Sequence, residues 1–135
     1  MSMTIFEQSL GLTALPAAPY LAADDFPAAR AYWLDQPQGR RVRLACWAPT
    51  GAGDNPERGV CLLFQGRAEF IEKYAELAAE LTGRGFYVLA PDWPGQALSD
   101  PVCAAHPARG HLNDMEECVA VQRWLGLFEQ FLGCR

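Results

Sequence analysis

Two stretches of the chain are apolar without interruption, "VCLLF" (60–64) and "FYVLA" (86–90). Between them, from about Phe70 to Thr82, apolar residues recur at helical spacing. Phe70, Tyr74, Leu77, Ala78 and Leu81 fall on one face, while Glu69 and Lys73 stand at i,i+4 on another. Gly83 and Gly85 supply the stop. Strand, helix and strand within about 30 residues predict a right-handed βαβ crossover with parallel strands. Strands apolar on both faces need cover on both faces, so the expected class is an α/β fold and not a one-sided sheet.

Upstream, the pattern changes to alternation. "AYWL" (31–34) and "RVRLACW" (41–47) flank the turn-rich "DQPQGR", and Val42, Leu44 and Cys46 alternate with Arg41, Arg43 and Ala45. This predicts a hairpin with one face buried and with Arg40, Arg41 and Arg43 on the solvent side. Residues 48–59 read as a loop. They include Gly51-Ala52-Gly53, the beginning of a dinucleotide-binding turn, but Pro56 holds the third-glycine position. That argues against a nucleotide site. Residues 1–28, rich in Ala and Pro, follow neither period and are expected to form a mostly irregular arm ahead of a single domain over 29–135. Downstream, Asn113 and Glu116 resemble a capping box, and Cys118, Val121, Leu125, Phe128 and Leu132 step by three and four. A long helix over 113–132, docked on the sheet, is expected.

Composition narrows the function classes. The net charge of −5, with basic residues scattered, argues against nucleic acid as a partner. Five cysteines, Cys46, Cys61, Cys103, Cys118 and Cys134, form no C-x-x-C pair and read as reduced small hydrophobes, not as a zinc or disulfide framework. No metal site or cofactor is expected. The N-terminus lacks a basic n-region and a clean apolar core, and no apolar run approaches the roughly 20 residues that span a bilayer. A cytoplasmic location is the expectation.

In an open parallel sheet, ligands gather outside the carboxyl ends of the strands, and the crossover brings the ends of 60–64 and 86–90 to one rim. Two unusual turns therefore meet there, Gln65-Gly66-Arg67-Ala68-Glu69 and Asp92-Trp93-Pro94-Gly95-Gln96. Gly66 is expected to permit a turn closed to bulkier residues. Backbone N–H groups entering the helix near 68–70 are unpaired by helix geometry, and such donors suit an oxyanion. Arg67 and Glu69 could equally form a surface ion pair, and Trp93 could pack over the rim or close the core.

Together, "LLFQGRAEFIEKYAELAAEL", "GFYVLAPDWPGQALSD" and "RGHLNDMEECVAVQRWL" resemble the N-terminal part of the α/β-hydrolase superfamily, in its lysophospholipase and monoacylglycerol-lipase-like branch. The likeness runs over roughly residues 30–132. Q-G-R-x-E-F-I-E-K-Y stands where relatives carry an H-G-x-type oxyanion loop, and D-W-x-G-Q-x-x-S-D where they carry D-x-R-G-x-G-x-S. The resemblance implies that the Arg67 N–H is an oxyanion donor, that Gly66 shapes the loop, and that Asp92, Trp93, Gly95, Gln96 and Ser99 belong to the rim turn. Pro94 replaces the usual Arg and Ala97 a Gly.

The family's nucleophile sits in a G-x-S-x-G elbow on the strand after the helix expected at 113–132, with the acid and histidine later still. The 135 residues contain no G-x-S-x-G. Ser99, Asp92, Asp100, His106 and His111 are of the right types for a triad but have no elbow, and Ser99 reads as a turn hydroxyl. Cys103 lacks a basic neighbour and reads as inert. The expectation is a partial α/β-hydrolase fold, truncated before the nucleophile strand, that carries oxyanion parts but is inactive alone. A lipid-like ester substrate is expected only if a C-terminal half completes the site. Other readings are a non-catalytic module that self-associates through strand 60–64, and a nucleotide-binding or redox protein resting on the βαβ unit alone.

Overall fold

The computed structural model describes residues 14–21, 26, 29–36, 39–50, 58–101 and 105. Five strands form one mixed sheet in the order β1-β2-β3-β5-β4: β1 Ala17–Ala18, β2 Arg30–Asp35, β3 Arg41–Trp47, β4 Gly59–Leu62 and β5 Phe86–Pro91. β2 and β3 make the expected antiparallel hairpin, with Leu34 opposite Val42 and Tyr32 opposite Leu44. Its turn is closed by the Gln36 N–H on the Arg40 carbonyl at 2.8 Å. β3 then runs antiparallel to β5, and β5 parallel to β4, with Val60 opposite Tyr87 and Leu62 opposite Leu89. Between β4 and β5 lie a 3-10 turn, Ile71–Tyr74, and helix α1, Ala75–Gly83. The parallel βαβ unit is as the apolar runs predict. The expected helix over 113–132, with His106, His111 and Cys103, lies outside the described residues.

Both faces of the central strands are buried. One carries Tyr32, Val42, Leu44, Cys46, Tyr87, Leu89 and Trp93. The other carries Ala45, Trp47, Val88 and Ala90, covered by Ile71 and Ala78 from the turn and helix. Fully burying a side chain such as Leu44, Val88 or Leu89 contributes about 1.5–3 kcal/mol. The arm joins this body: β1 pairs with β2, the Trp33 N–H donates to the Pro16 carbonyl at 2.9 Å, and Tyr20 meets the edge of Trp47 with ring centroids 5.8 Å apart.

Two expectations are corrected. Arg43 does not face solvent; its exposure is 0 %. Alternation along β3 marks two buried faces and not one, because Ile71 and the arm cover the second. Arg41 does stay exposed, its guanidinium 4.4 Å above the Trp33 ring and paired with Asp100. The buried stripe of the turn and helix is likewise rotated, to Ile71, Ala75, Ala78 and Thr82, with Phe70 47 % and Leu77 41 % exposed. Alanines at 75 and 78 let the backbone approach the sheet more closely than Leu77 would. Thr82 tolerates burial because its hydroxyl donates to the Ala78 carbonyl at 2.8 Å.

Candidate functional site

β4 and β5 end at the same rim, and the turns that follow them are tied together by two side chains. The Trp93 indole N–H donates to the Gln65 carbonyl at 2.8 Å. The Gln96 carboxamide oxygen accepts the Ala68 N–H at 2.6 Å. Trp93 both closes the core and covers the rim, since it is buried and stacks on the half-exposed Phe64.

Within the first turn, the Gly66 N–H donates to Glu69 Oε2 at 2.8 Å. That carboxylate also accepts the Tyr74 hydroxyl and, on its other oxygen, Lys73 Nζ at 2.6 Å. Lys73 first, then Tyr74 and the Gly66 amide, draw the Glu69 pKa from 4.5 down to about 2. Glu69 therefore pairs with Lys73, and its role is to grip the loop. Of three consecutive amides, those of Gly66 and Ala68 are occupied. The Arg67 N–H between them has no hydrogen-bond partner among the described residues. The Arg67 side chain is exposed.

The backbone that makes this turn is not the one expected. Gly66 is not in the left-handed region; Ala68 is, at φ 62°. The glycine at 66 leaves room instead: a Cβ there would lie 3.2 Å from Glu69 Oε2, and the carboxylate would have to give by a few tenths of an ångström. In the second turn Gly95 has φ 76°, and Ala97, in the place of a family glycine, has φ 47°. The turn thus keeps a left-handed residue at 97 despite the alanine.

Beneath the rim lies a buried charge network. Arg43 reaches Asp92 Oδ2 through Nε at 2.7 Å and Nη2 at 2.6 Å, Glu72 through Nη1 at 2.5 Å and Nη2 at 2.7 Å, and the Pro19 carbonyl at 3.0 Å. Asp92 Oδ1 accepts the Ile71 N–H at 2.9 Å, fixing the start of the 3-10 turn. Burial works against the Arg43 charge, but Glu72 and Asp92 outweigh it and raise its pKa. Burial pushes the Asp92 carboxyl upward while Arg43 pulls the other way. Glu72, also penalised by burial, is held below its ordinary value by Arg43.

Ser99 and Asp100 dock the second turn on β3. The Ser99 hydroxyl accepts the Arg43 N–H at 2.9 Å and donates to the Asp92 carbonyl at 2.7 Å; Asp100 Oδ2 accepts the Arg41 N–H at 2.7 Å. Ser99 is thus bonded as a turn hydroxyl. Beside the network, Leu21, Phe70, Ala97 and Leu98 wall an open, mainly apolar hollow of about 360 Å³ whose floor includes Arg43 and Glu72. No cluster of metal-ligating residues occurs among the described residues, and no helix among them is long and apolar enough to cross a membrane.

Residues 55–121 match the family described as "Serine aminopeptidase, S33". Among solved structures, a soluble variant of monoglyceride lipase from Saccharomyces cerevisiae aligns with a TM-score of 0.50 and 18% identity, over 62% of this chain and 27% of the lipase. The chain carries part of an α/β-hydrolase fold. A probable hydrolytic enzyme from Pseudomonas aeruginosa PAO1 aligns at 21% identity and TM-score 0.47, over 78% of this chain and 32% of the other. A thioesterase domain from the curacin biosynthetic pathway aligns at 26% identity and TM-score 0.43, over 56% and 26%. No curated protein gives a significant sequence match. The chain spans roughly a quarter to a third of the length of these hydrolase structures.

Within this α/β-hydrolase fold the described residues bring together Gly66, Arg67, Asp92, Trp93, Gly95, Gln96 and Ser99 as two tethered turns. Sequence reasoning missed Arg43 and Glu72, whose partners lie far along the chain and leave no local signal. It also missed the roles of Glu69 and Gln96. For Glu69 there was a signal: an acidic residue three positions after the residue whose N–H it accepts repeats the geometry of a capping box.

Proposed function

We propose that these residues supply the oxyanion-binding part of a serine ester hydrolase of the lysophospholipase-like kind. The observation that carries the reading is that the Arg67 amide, between two occupied ones, has no partner among the described residues, in a loop that follows a parallel strand of an α/β-hydrolase fold. A free backbone donor held in place before reaction stabilises a tetrahedral oxyanion without reorganisation, and loss of one such donor typically costs about 10²–10³ in rate. The mainly apolar hollow beside the Arg43 network supports an ester with an aliphatic acyl chain as the substrate class. The nucleophile, acid and base come from outside the described residues: Ser99 is bonded into its turn, and Asp92 is consumed by Arg43 and Ile71. On this reading the 135-residue chain does not turn over p-nitrophenyl butyrate. Hydrolysis abolished by Ser99→Ala would overturn it.

A second reading, association, is favoured by the position of β4 at the end of the strand order, with β5 as its one partner among the described residues. An apolar strand with an open edge recruits another strand. Light scattering on the purified chain should then give a mass above the monomer, whereas a monodisperse monomer would exclude it.

A further inference from the structure

We infer that Gln96 is a positioning residue that fixes the Arg67 amide from across the rim, an inference that rests on the oxyanion reading of the loop. Ala68 is left-handed, at φ 62°. A left-handed alanine costs about 1–2 kcal/mol relative to the right-handed regions, so something must hold it. Its N–H is held by Gln96 Oε1 at 2.6 Å, and the Gln96 side chain comes from 28 residues away in a residue only 9 % exposed. Gln96 is itself fixed: its N–H donates to the Trp93 carbonyl at 3.0 Å, and its carbonyl accepts the Ser99 N–H at 3.1 Å. The left-handed residues Gly95 and Ala97 on either side set the sharp turn that carries it.

Peptide planarity makes the consequence specific. The 65–66 peptide is pinned through the Gly66 N–H on Glu69, and the 67–68 peptide through the Ala68 N–H on Gln96. Only the 66–67 peptide, which bears the Arg67 N–H, lies between them, and rigid planes on both sides leave it little freedom. Trp93 adds a second strut from the same turn, on the Gln65 carbonyl. The second turn thus grips the first on both sides of Arg67, and Gln96 touches the peptide next to the donor without touching the donor. This gives Ala97 a reason for its conformation, since a right-handed residue there would carry the chain away from the Ser99 contact that holds Gln96.

The test is amide hydrogen exchange by nitrogen-edited NMR on the 135-residue chain and its Gln96→Leu and Gln96→Glu variants. Leucine keeps the bulk and removes the acceptor; glutamate keeps an acceptor. The Ala68 amide is expected to exchange at least tenfold faster in Gln96→Leu and to recover most of its protection in Gln96→Glu, while Val88 and Leu89 in β5 stay unchanged in both. Equal Ala68 exchange in the wild type and Gln96→Leu would overturn the inference, and so would equal loss in both variants with β5 intact. If Gln96→Leu also loosens β5, Gln96→Glu decides: Ala68 protection and an Arg67 amide shift close to the wild type support the inference, and Ala68 exchange as fast as in Gln96→Leu overturns it. A parallel titration with butylphosphonate separates the two readings. If Ala68 depends on Gln96 but no variant shows an Arg67 response to phosphonate, the positioning role stands and the oxyanion reading falls.

Discussion

Arg43 and Asp92, 49 residues apart in sequence, meet at 2.6 Å with both side chains at 0 % exposure. Arg43 also binds Glu72, and Asp92 holds the Ile71 N–H, so one guanidinium ties β3 and the arm to both segments that follow the parallel strands. Removing one partner of a buried ion pair leaves the other charge unpaired. Arg43→Met is therefore expected to destabilise the chain by about 3–5 kcal/mol in urea unfolding. A change below about 1 kcal/mol would show that the network carries no stability.

Ala97 is a second point of leverage. Glycine adopts its φ of 47° without the Cβ clash that alanine suffers. Ala97→Gly should stabilise by about 0.5–1 kcal/mol, opposite in sign to Ala79→Gly in α1, which should cost about 1 kcal/mol. Thermal unfolding of the two variants compares the signs directly.

Gln65 presents the opposite case. Its carboxamide is buried, and neither its nitrogen nor its oxygen has a hydrogen-bond partner among the described residues. An unsatisfied buried polar group costs about 1–3 kcal/mol, and an apolar group of the same shape removes that cost. Gln65→Met is predicted to raise the unfolding free energy of the 135-residue chain by about 1 kcal/mol, while a loss would mean that the carboxamide is engaged.

Acid should release the loop in a defined window. Glu69 is drawn from 4.5 down to about 2, first by Lys73. A carboxylate with a depressed folded-state pKa contributes stability that is complete above its unfolded value and lost as pH falls through the folded one. The amide reports the folded-state carboxylate, so the Gly66 shift should be constant at pH 5 and above and move with a midpoint at about 2. In Glu69→Gln that titration should vanish. A Gly66 shift that moves above pH 5 would contradict the assignment.

The sheet was legible because its signals are local. Apolar runs at 60–64 and 86–90 with a helix between them dictate the βαβ unit, and the alternation ahead of them dictates the hairpin; that β3 pairs with β5 left no local signal. The helix face was misread because Leu77 and Phe70 outweigh Ala75 and Ala78 in any hydrophobic pattern, whereas close packing prefers the small residues. Arg43 was misread because alternation reports two unlike faces and cannot say whether the polar one meets water or carboxylates 29 and 49 residues away. At the loop, Gly66 drew attention as the flexible residue. The left-handed position is Ala68, and its support, Gln96, lies in a different turn.

On the oxyanion reading, the Arg67 N–H is a free, fixed donor. Butylphosphonate supplies tetrahedral oxyanion oxygens on an alkyl tail, and its titration into the nitrogen-labelled chain can be followed amide by amide. The Arg67 signal is predicted to move saturably and more than those of Gly66 and Ala68, and the response should persist in Arg67→Ala, which retains the N–H. A response confined to other residues, or one lost in Arg67→Ala because it comes from the guanidinium, would rule out that role for the amide.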